Sequence, residues 1–237
     1  MKTLVLIPTY NEKDNLPILV TDLMAIAGVS VMVLDDQSPD GTGKVADELG
    51  LKFPGRVQVL HREGQRGLGV SYLEGFHRAI DTDYDFVCQM DADLSHDPKY
   101  LPAMIETAAR GADLVIGSRY LNGISVVNWP LRRIILSQFA NFYIRTVTGL
   151  HLRDITTGYR CWRRTSLATL PLATNGWSRT RMPIASRPAR ELRLVHTGWP
   201  ASSPSFARNH APAHCEPISW RVGSSLSRDM IARSSTM

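Results

Sequence analysis

Cysteine is scarce in this chain. Cys88, Cys161 and Cys215 are the only three in 237 residues, and they share no metal-ligand spacing. An odd, scattered count excludes a disulfide framework and fits reduced thiols in a cytosolic setting. Long apolar runs are also missing. The longest uncharged apolar-rich stretch near the middle, Ile134 to Ile144, is too short to span a bilayer. Met1-Lys2-Thr3 runs straight into a strand-like segment that soon meets Pro8, so no signal peptide is expected. There is no G-x-G-x-x-G after the first strand, which argues against NAD or FAD. Gly64, Gly67 and Gly69 form a loose glycine loop whose spacing matches no phosphate-binding loop.

The absence of lysine after Lys99 makes the charge uneven. Residues 173–237 hold nine Arg, no Lys and three acids, a balance of +6. The remaining 18 basic and 19 acidic residues leave −1, so the overall +5 belongs to the tail. A basic face for nucleic acid is therefore not expected on the folded part. The tail is also poor in core-forming residues. Ile, Leu, Val and Phe make up nine of its 65 residues, too few to pack a core. We expect residues 173–237 to be poorly ordered, with no sustained helical or strand period, beside one folded domain over residues 1–172.

That first part alternates strand and helix signals. Thr3 to Ile7 is an apolar run closed by Pro8-Thr9-Tyr10-Asn11. Asn15 sits at the cap of a helix whose Leu16, Leu19, Val20, Leu23 and Met24 share one face. A second run, Val31 to Leu34, ends in Asp35-Asp36, and the turn Ser38-Pro39-Asp40-Gly41 feeds a short helix through Leu49. Strands are further expected over Val57 to Leu60, Phe86 to Met90 and Leu114 to Gly117, with helices over Gly67 to Ile80 and Pro98 to Arg110. Arg132, Arg133 and Arg145 punctuate an amphipathic helix expected after Asn128-Trp129-Pro130, and a further strand is expected over Thr157 to Trp162. Such alternation implies an α/β fold, a mostly parallel sheet covered by helices on both faces.

Ligands in sheets of this kind bind beyond the carboxyl ends of the strands. Pro8-Thr9-Tyr10, Asp35-Asp36, Asp91-Ala92-Asp93 and Ser118-Arg119 all fall there. Asp91 and Asp93 are two apart, on the same side of an extended backbone, and small Ala92 lets a ligand approach the main chain. Unpaired carboxylates in one crevice repel unless a cation or hydrogen-bond donors share the site. A hard divalent cation holding a substrate diphosphate suits such oxygen ligands. Tyr10 could stack on a base, Glu12 could accept from its amine or from ribose, and Arg119 could neutralise a diphosphate. Each has a plainer reading: a solvated loop for Asp91 and Asp93, a turn cap for Asp35-Asp36, a surface ion pair for Arg119, a solvated helix face for Arg132 and Arg133. Strand-Asp-x-Asp also describes a phosphatase nucleophile. That motif, however, should follow the first strand with a lysine downstream, and here it follows the fourth.

Five motifs occur in order: Ile7-Pro8-Thr9-Tyr10-Asn11-Glu12, Asp35-Asp36-Gln37-Ser38-Pro39-Asp40-Gly41-Thr42, Met90-Asp91-Ala92-Asp93-Leu94-Ser95-His96, Gly117-Ser118-Arg119-Tyr120 and Asn128-Trp129-Pro130. Together they resemble the dolichol- and polyprenol-phosphate mannosyltransferases, GT-A-fold members of glycosyltransferase family 2. The resemblance covers residues 1–170. It implies a Rossmann-like GT-A (nucleotide-diphospho-sugar transferase) fold and inverting transfer of mannose from GDP-mannose to a polyprenyl phosphate. It further implies a peripheral enzyme at the cytoplasmic face of the membrane. By motif, Pro8, Tyr10, Glu12, Leu34 and Asp36 would line the nucleotide pocket. Asp91, Ala92 and Asp93 would meet the nucleotide-sugar, with Mg²⁺ or Mn²⁺ on Asp93 and Asp91. Arg119 would contact the diphosphate, making Asp91, Asp93 and Arg119 the catalytic set. Arg133 and Ser137 would hold the lipid phosphate. Ser95 stands where some relatives carry a glutamine metal ligand.

The chain departs from that family after Leu170-Pro171-Leu172. A Gly-Tyr-containing helix and an Arg- and Lys-bearing loop should follow, and neither is present. Back-translation of Thr174 to Arg187 permits, in another frame, the family-like Leu-Val-Ser-Asp-Ala-Tyr-Ala-Tyr-Arg-Val-Glu. The tail therefore reads as an out-of-frame product. Two rivals keep part of this reading: a family 2 enzyme with another donor or a saccharide acceptor, and an inactive nucleotide-binding remnant.

Overall fold

The computed structural model describes residues 1–118, 139, 142, 146, 157–170, 172, 193–198 and 218–219. The first half alternates as its apolar periodicity requires: β1 (Thr3–Thr9), α1 (Leu16–Met24), β2 (Val29–Asp35), α2 (Thr42–Lys52), β3 (Val57–His61), α3 (Leu68–Ile80) and β4 (Phe86–Gln89). A 3₁₀ turn (Pro98–Tyr100), α4 (Leu101–Ala109) and β5 (Leu114–Ser118) follow. Then come β6 (Arg160–Arg163), a short helix Arg164–Leu167, β7 (Arg193–Gly198) and β8 (Ile218–Ser219).

These strands form one eight-stranded sheet in the order β3-β2-β1-β4-β6-β5-β7-β8. The β3, β2, β1 and β4 strands run parallel, and β6 lies antiparallel between β4 and β5. Alternate side chains of each strand serve opposite faces. Val5, Ile7, Val31, Val33 and Cys88 join α1, α2 and α4 in one core layer. Leu4, Leu6, Met32, Leu34 and Val87 join Tyr72 and Phe76 of α3 in the other. Helices on both faces explain why the central strands are apolar on both sides.

From β1 the chain crosses to β2 on one side, and it later returns to β4 on the other. The crevice beyond the carboxyl ends of β1 and β4 is thus the switch point of the sheet. One glycine sets how closely α3 approaches this centre. A Cβ on Gly75 would lie 2.9 Å from Leu34 Cδ1 and 3.0 Å from Leu6 Cδ1. The middle of α3 is therefore held tight against the sheet.

Several expectations change in detail. The helix expected over Pro98 to Arg110 is a 3₁₀ turn and then α4, because Pro102 lacks an N–H and suits only a first turn. Asn15 occupies the N-cap position of α1, yet its side chain donates to Glu12 Oε2 at 2.8 Å instead of capping. The strand expected from Thr157 begins at Arg160. Arg193–Gly198 lies in the tail expected to sustain no strand, yet it pairs parallel with β5 from Leu114 to Ser118. Leu194 and Val195 are buried there, so a local apolar pair suffices to cover an otherwise open strand edge. Of the helix expected after Asn128-Trp129-Pro130, residues 139, 142 and 146 are described. They are helical, with Phe139 and Phe142 exposed.

Candidate active site at the strand termini

The loops after β1 and β2 are tied to each other at the rim, and the loop after β4 is reached through α3. Asn11 N donates to Ser38 Oγ at 3.1 Å, Glu12 N to Thr42 Oγ1 at 2.9 Å, and Asp36 N to Thr9 O at 3.0 Å. Asp40 Oδ1 accepts from the Thr42 hydroxyl and amide, which caps the turn and holds its carboxyl below the usual pKa. Three non-glycine residues adopt left-handed backbone among the described residues: Asn11, Gln37 and Leu94. Each lies in one of these three loops. Left-handed backbone is costly for a branched residue such as Leu94, and such strain gathers at ligand sites.

The two acidic pairs are handled differently. Asp35 is spent on structure: its Oδ1 accepts from Ser38 Oγ at 2.6 Å and Thr9 Oγ1 at 3.3 Å. Asp36 is nearly buried, and its charge is met inside the protein. Arg62, buried as deeply, donates to its Oδ1, and the Gly67 amide donates to Oδ2 at 2.7 Å. Ser71 Oγ adds a contact to Oδ2 at 3.4 Å. Of the two ways expected to relieve such carboxylates, a cation or hydrogen-bond donors, this pair uses donors. Arg62 takes the place a cation would fill, a role that sequence reading missed because an arginine one residue past β3 carries no signature of its partner. The glycine loop finds its purpose here. Gly67 has φ 144°, a conformation open to glycine, and that turn aims its N–H at Asp36.

Asp91, Ala92 and Asp93 lie just past β4, where the chain bends rather than continuing extended. Ala92 is buried with its methyl in the core, Asp91 is one-third exposed, and Asp93 is exposed. Asp91 is held at several points. Tyr72 Oη donates to its Oδ1 at 3.1 Å, and its own amide donates to His96 Nδ1 at 3.3 Å. The phenol of Tyr72 is pushed well up by burial first and by the nearby Asp91 charge second, so it stays a neutral donor. His96 is buried and packs on Tyr159, ring centroids 5.2 Å apart. Gly158 leaves space for the carboxylate: a Cβ there would lie 2.5 Å from Asp91 Oδ2. Asp93 Oδ1 accepts from the Ser95 amide at 3.0 Å.

Tyr10 is half-exposed, with the Arg66 guanidinium 5.2 Å from its ring centre. Glu12 is oriented by Asn15. Pro8 and Leu34 face each other across β1 and β2, and the Leu34 side chain lies wholly in the core beneath α3. The structure thus places Pro8, Tyr10, Glu12, Asp36, Asp91, Ala92 and Asp93 at or just beyond the carboxyl ends of the neighbouring parallel strands β1, β2 and β4. Arg119, Arg133 and Ser137 lie outside the described residues. The acidic clusters are joined through α3: Ser71 touches Asp36 and its neighbour Tyr72 touches Asp91.

Hard oxygen donors of this kind fit a divalent cation. Among the described residues no cluster of three or more acidic, His or Cys side chains could enclose one. Asp91 and Asp93 would therefore share a cation with a ligand's own oxygens, the arrangement usual for Mg²⁺ beside phosphates. No described helix is long and apolar enough to cross a membrane.

Comparison with known proteins agrees with this architecture. Residues 4–170 match the Glycosyl transferase family 2 model. Polyprenol monophosphomannose synthase of Mycolicibacterium smegmatis is 49% identical over 173 residues, 73% of this chain and 65% of that protein. Undecaprenyl-phosphate mannosyltransferase of Micrococcus luteus is 46% identical over 173 residues, 73% of this chain and 70% of that protein. The chain thus spans about two-thirds of the length of these relatives. Glucosyl-3-phosphoglycerate synthase from Mycobacterium tuberculosis, solved in complex with Mn²⁺, uridine-diphosphate-glucose and phosphoglyceric acid, superposes with a TM-score of 0.51 at 19% identity. That likeness covers 69% of this chain and 57% of the other, and it bears out the GT-A-like fold.

Proposed function

Because this chain belongs to glycosyl transferase family 2, we propose that it moves mannose from GDP-mannose to a polyprenyl phosphate with the help of Mg²⁺ or Mn²⁺. The observation that carries the reading is the rim itself: Asp36 and Asp91, on separate loops, are braced by adjacent residues of α3. Identities of 49% and 46% to the two polyprenyl-phosphate relatives support the donor and acceptor classes.

In this reading the nucleoside lies along Pro8, Tyr10 and Glu12, with Leu34 beneath and Asp36 presenting its edge to the ribose or base. Tyr10 offers a ring face for stacking. Asp91 and Ala92 orient the sugar, and Asp93, the exposed carboxylate, is the principal cation ligand, with Asp91 beside it. When bound, the cation would neutralise charge developing on the departing diphosphate. Arg119 would add a fixed positive charge to the same oxygens. Arg133 and Ser137 would hold the acceptor phosphate. In transfer, an oxygen of that phosphate forms a bond to the anomeric carbon as the bond to the diphosphate oxygen breaks, with inversion. The acceptor is already anionic, so no strong general base is required, whereas a sugar hydroxyl would need one. A lipid acceptor implies work at a membrane surface, and we place the enzyme peripherally on the cytoplasmic face.

A second reading, nucleotide-sugar binding without turnover, is favoured by one fact. The family match ends at residue 170, and 65 residues of different character follow Leu172. One assay separates the two. The full chain is incubated with labelled GDP-mannose, Mn²⁺ and polyprenyl phosphate. Lipid-soluble label that disappears in Asp93→Ala supports transfer. Binding of GDP-mannose with no lipid product selects the second reading, and equal product from both proteins refutes the metal role.

A further inference from the structure

We infer that Tyr72 is a positioning residue for Asp91, fixing the carboxylate that the donor sugar meets; this rests on the reading of Asp91 given above. The phenol can only donate to a carboxylate, and burial keeps it neutral. Its ring cannot drift. It stacks on Phe76 at 6.2 Å, and Phe76 meets Trp162 edge-on at 6.5 Å. Trp162 in turn is fixed by its indole N–H, which donates to Gln89 Oε1 at 3.0 Å, on the strand that leads into Asp91. The hydroxyl is thus delivered from a braced aromatic stack to one oxygen of Asp91.

The other oxygen is shaped by absence. Gly158 presents no Cβ where one would sit 2.5 Å from Asp91 Oδ2. Oδ1 is taken by Tyr72, the amide meets His96 Nδ1, and Oδ2 lies 4.0 Å from that same nitrogen. Among the described residues Asp93 has no comparable buried brace; it accepts from the amide of Ser95, two residues on. The two carboxylates therefore divide their work: Asp91 is held rigid to orient the sugar, and Asp93 is left to adapt around a cation. Because Ser71 and Tyr72 are consecutive, the same turn of α3 also fixes Asp36.

The test is a double-mutant cycle on the full chain with Tyr72→Phe, Asp91→Asn and both together. Tyr72→Phe removes one oxygen and keeps the stack. We expect it to weaken GDP-mannose binding in Mn²⁺ by about tenfold or more, the scale of a lost hydrogen bond to a charged group. Affinity for GDP, which lacks the sugar, should change by less than about twofold, and Tyr72→Phe should add no loss in the Asp91→Asn background. Undiminished GDP-mannose affinity overturns the inference, as does an equal loss in the Asp91→Asn background. The same cycle read by urea unfolding without ligand should show the two residues coupled, and strict additivity there also overturns it. Failure of the wild-type chain to bind GDP-mannose would instead refute the proposed function, with the unfolding cycle still deciding Tyr72.

Discussion

Replacing Arg62 by Met tests whether Asp36 is neutralised within the protein. The Arg62 side chain is 3% exposed and that of Asp36 is 9% exposed. Arg62 also donates to Ser71 Oγ at 2.7 Å, to Glu74 Oε2 at 2.9 Å and to Gln65 O at 3.2 Å. Methionine matches its length and apolar stem but supplies no donor, so Asp36 would keep only Gly67 and Ser71. Removing one partner of a buried ion pair costs about 3–5 kcal/mol, because the other charge remains buried. At a urea slope of about 2 kcal/mol/M, the midpoint should fall by about 2 M. Adding Asp36→Asn should recover part of that loss, since the stranded charge is then gone. The assay is equilibrium urea unfolding at neutral pH for wild type, Arg62→Met and the double variant. A loss below about 1 kcal/mol for Arg62→Met, or a further loss on adding Asp36→Asn, would refute the reasoning.

Three further outcomes follow from the same geometry. Gly158→Ala puts a methyl 2.5 Å from Asp91 Oδ2, so the carboxylate must move; GDP-mannose affinity should fall by about tenfold or more by calorimetry, and an unchanged affinity would show the space to be unimportant. Burial pushes the Tyr72 and Tyr159 phenols above 10.0 and the Cys88 thiol above 9.0. Their neutral forms are favoured when folded, so this stability is intact below the unfolded values. It is lost as pH rises past about 9, by about 1.4 kcal/mol per pH unit for each group engaged. A urea midpoint that stays flat into strongly alkaline solution would contradict it. For residues 173–237, sequencing the coding DNA should reveal Leu-Val-Ser-Asp-Ala-Tyr-Ala-Tyr-Arg-Val-Glu in an alternative frame over Thr174 to Arg187, and its absence from both alternative frames rejects an out-of-frame tail.

Much of the fold was legible because its strands are buried on both faces. Runs such as Leu4 to Ile7 and Val31 to Leu34 leave no polar register, which marks a parallel sheet before any pairing is known. The rim was legible for a related reason: acidic pairs that end apolar runs have one place to go. What remained hidden depended on partners distant in sequence. Arg62 meets Asp36 across 26 residues, and Tyr72 meets Asp91 across 19. Both looked like ordinary residues of a loop and a helix. The function of Gly158 is a missing atom, which no periodicity reports. The tail strand β7 was hidden by averaging, since a low apolar content over 65 residues conceals Leu194-Val195.

The central claim is that Asp91 and Asp93 hold a cation for a nucleoside-diphosphate sugar whose nucleoside reaches the neighbouring loop of Asp36. Titration of GDP-mannose into the full chain, with and without Mn²⁺, tests it most directly when repeated on Asp93→Asn. The account predicts saturable binding that Mn²⁺ strengthens by about tenfold or more in wild type, the enhancement vanishing in Asp93→Asn. Binding that ignores Mn²⁺, or a Mn²⁺ enhancement that survives Asp93→Asn, would contradict it.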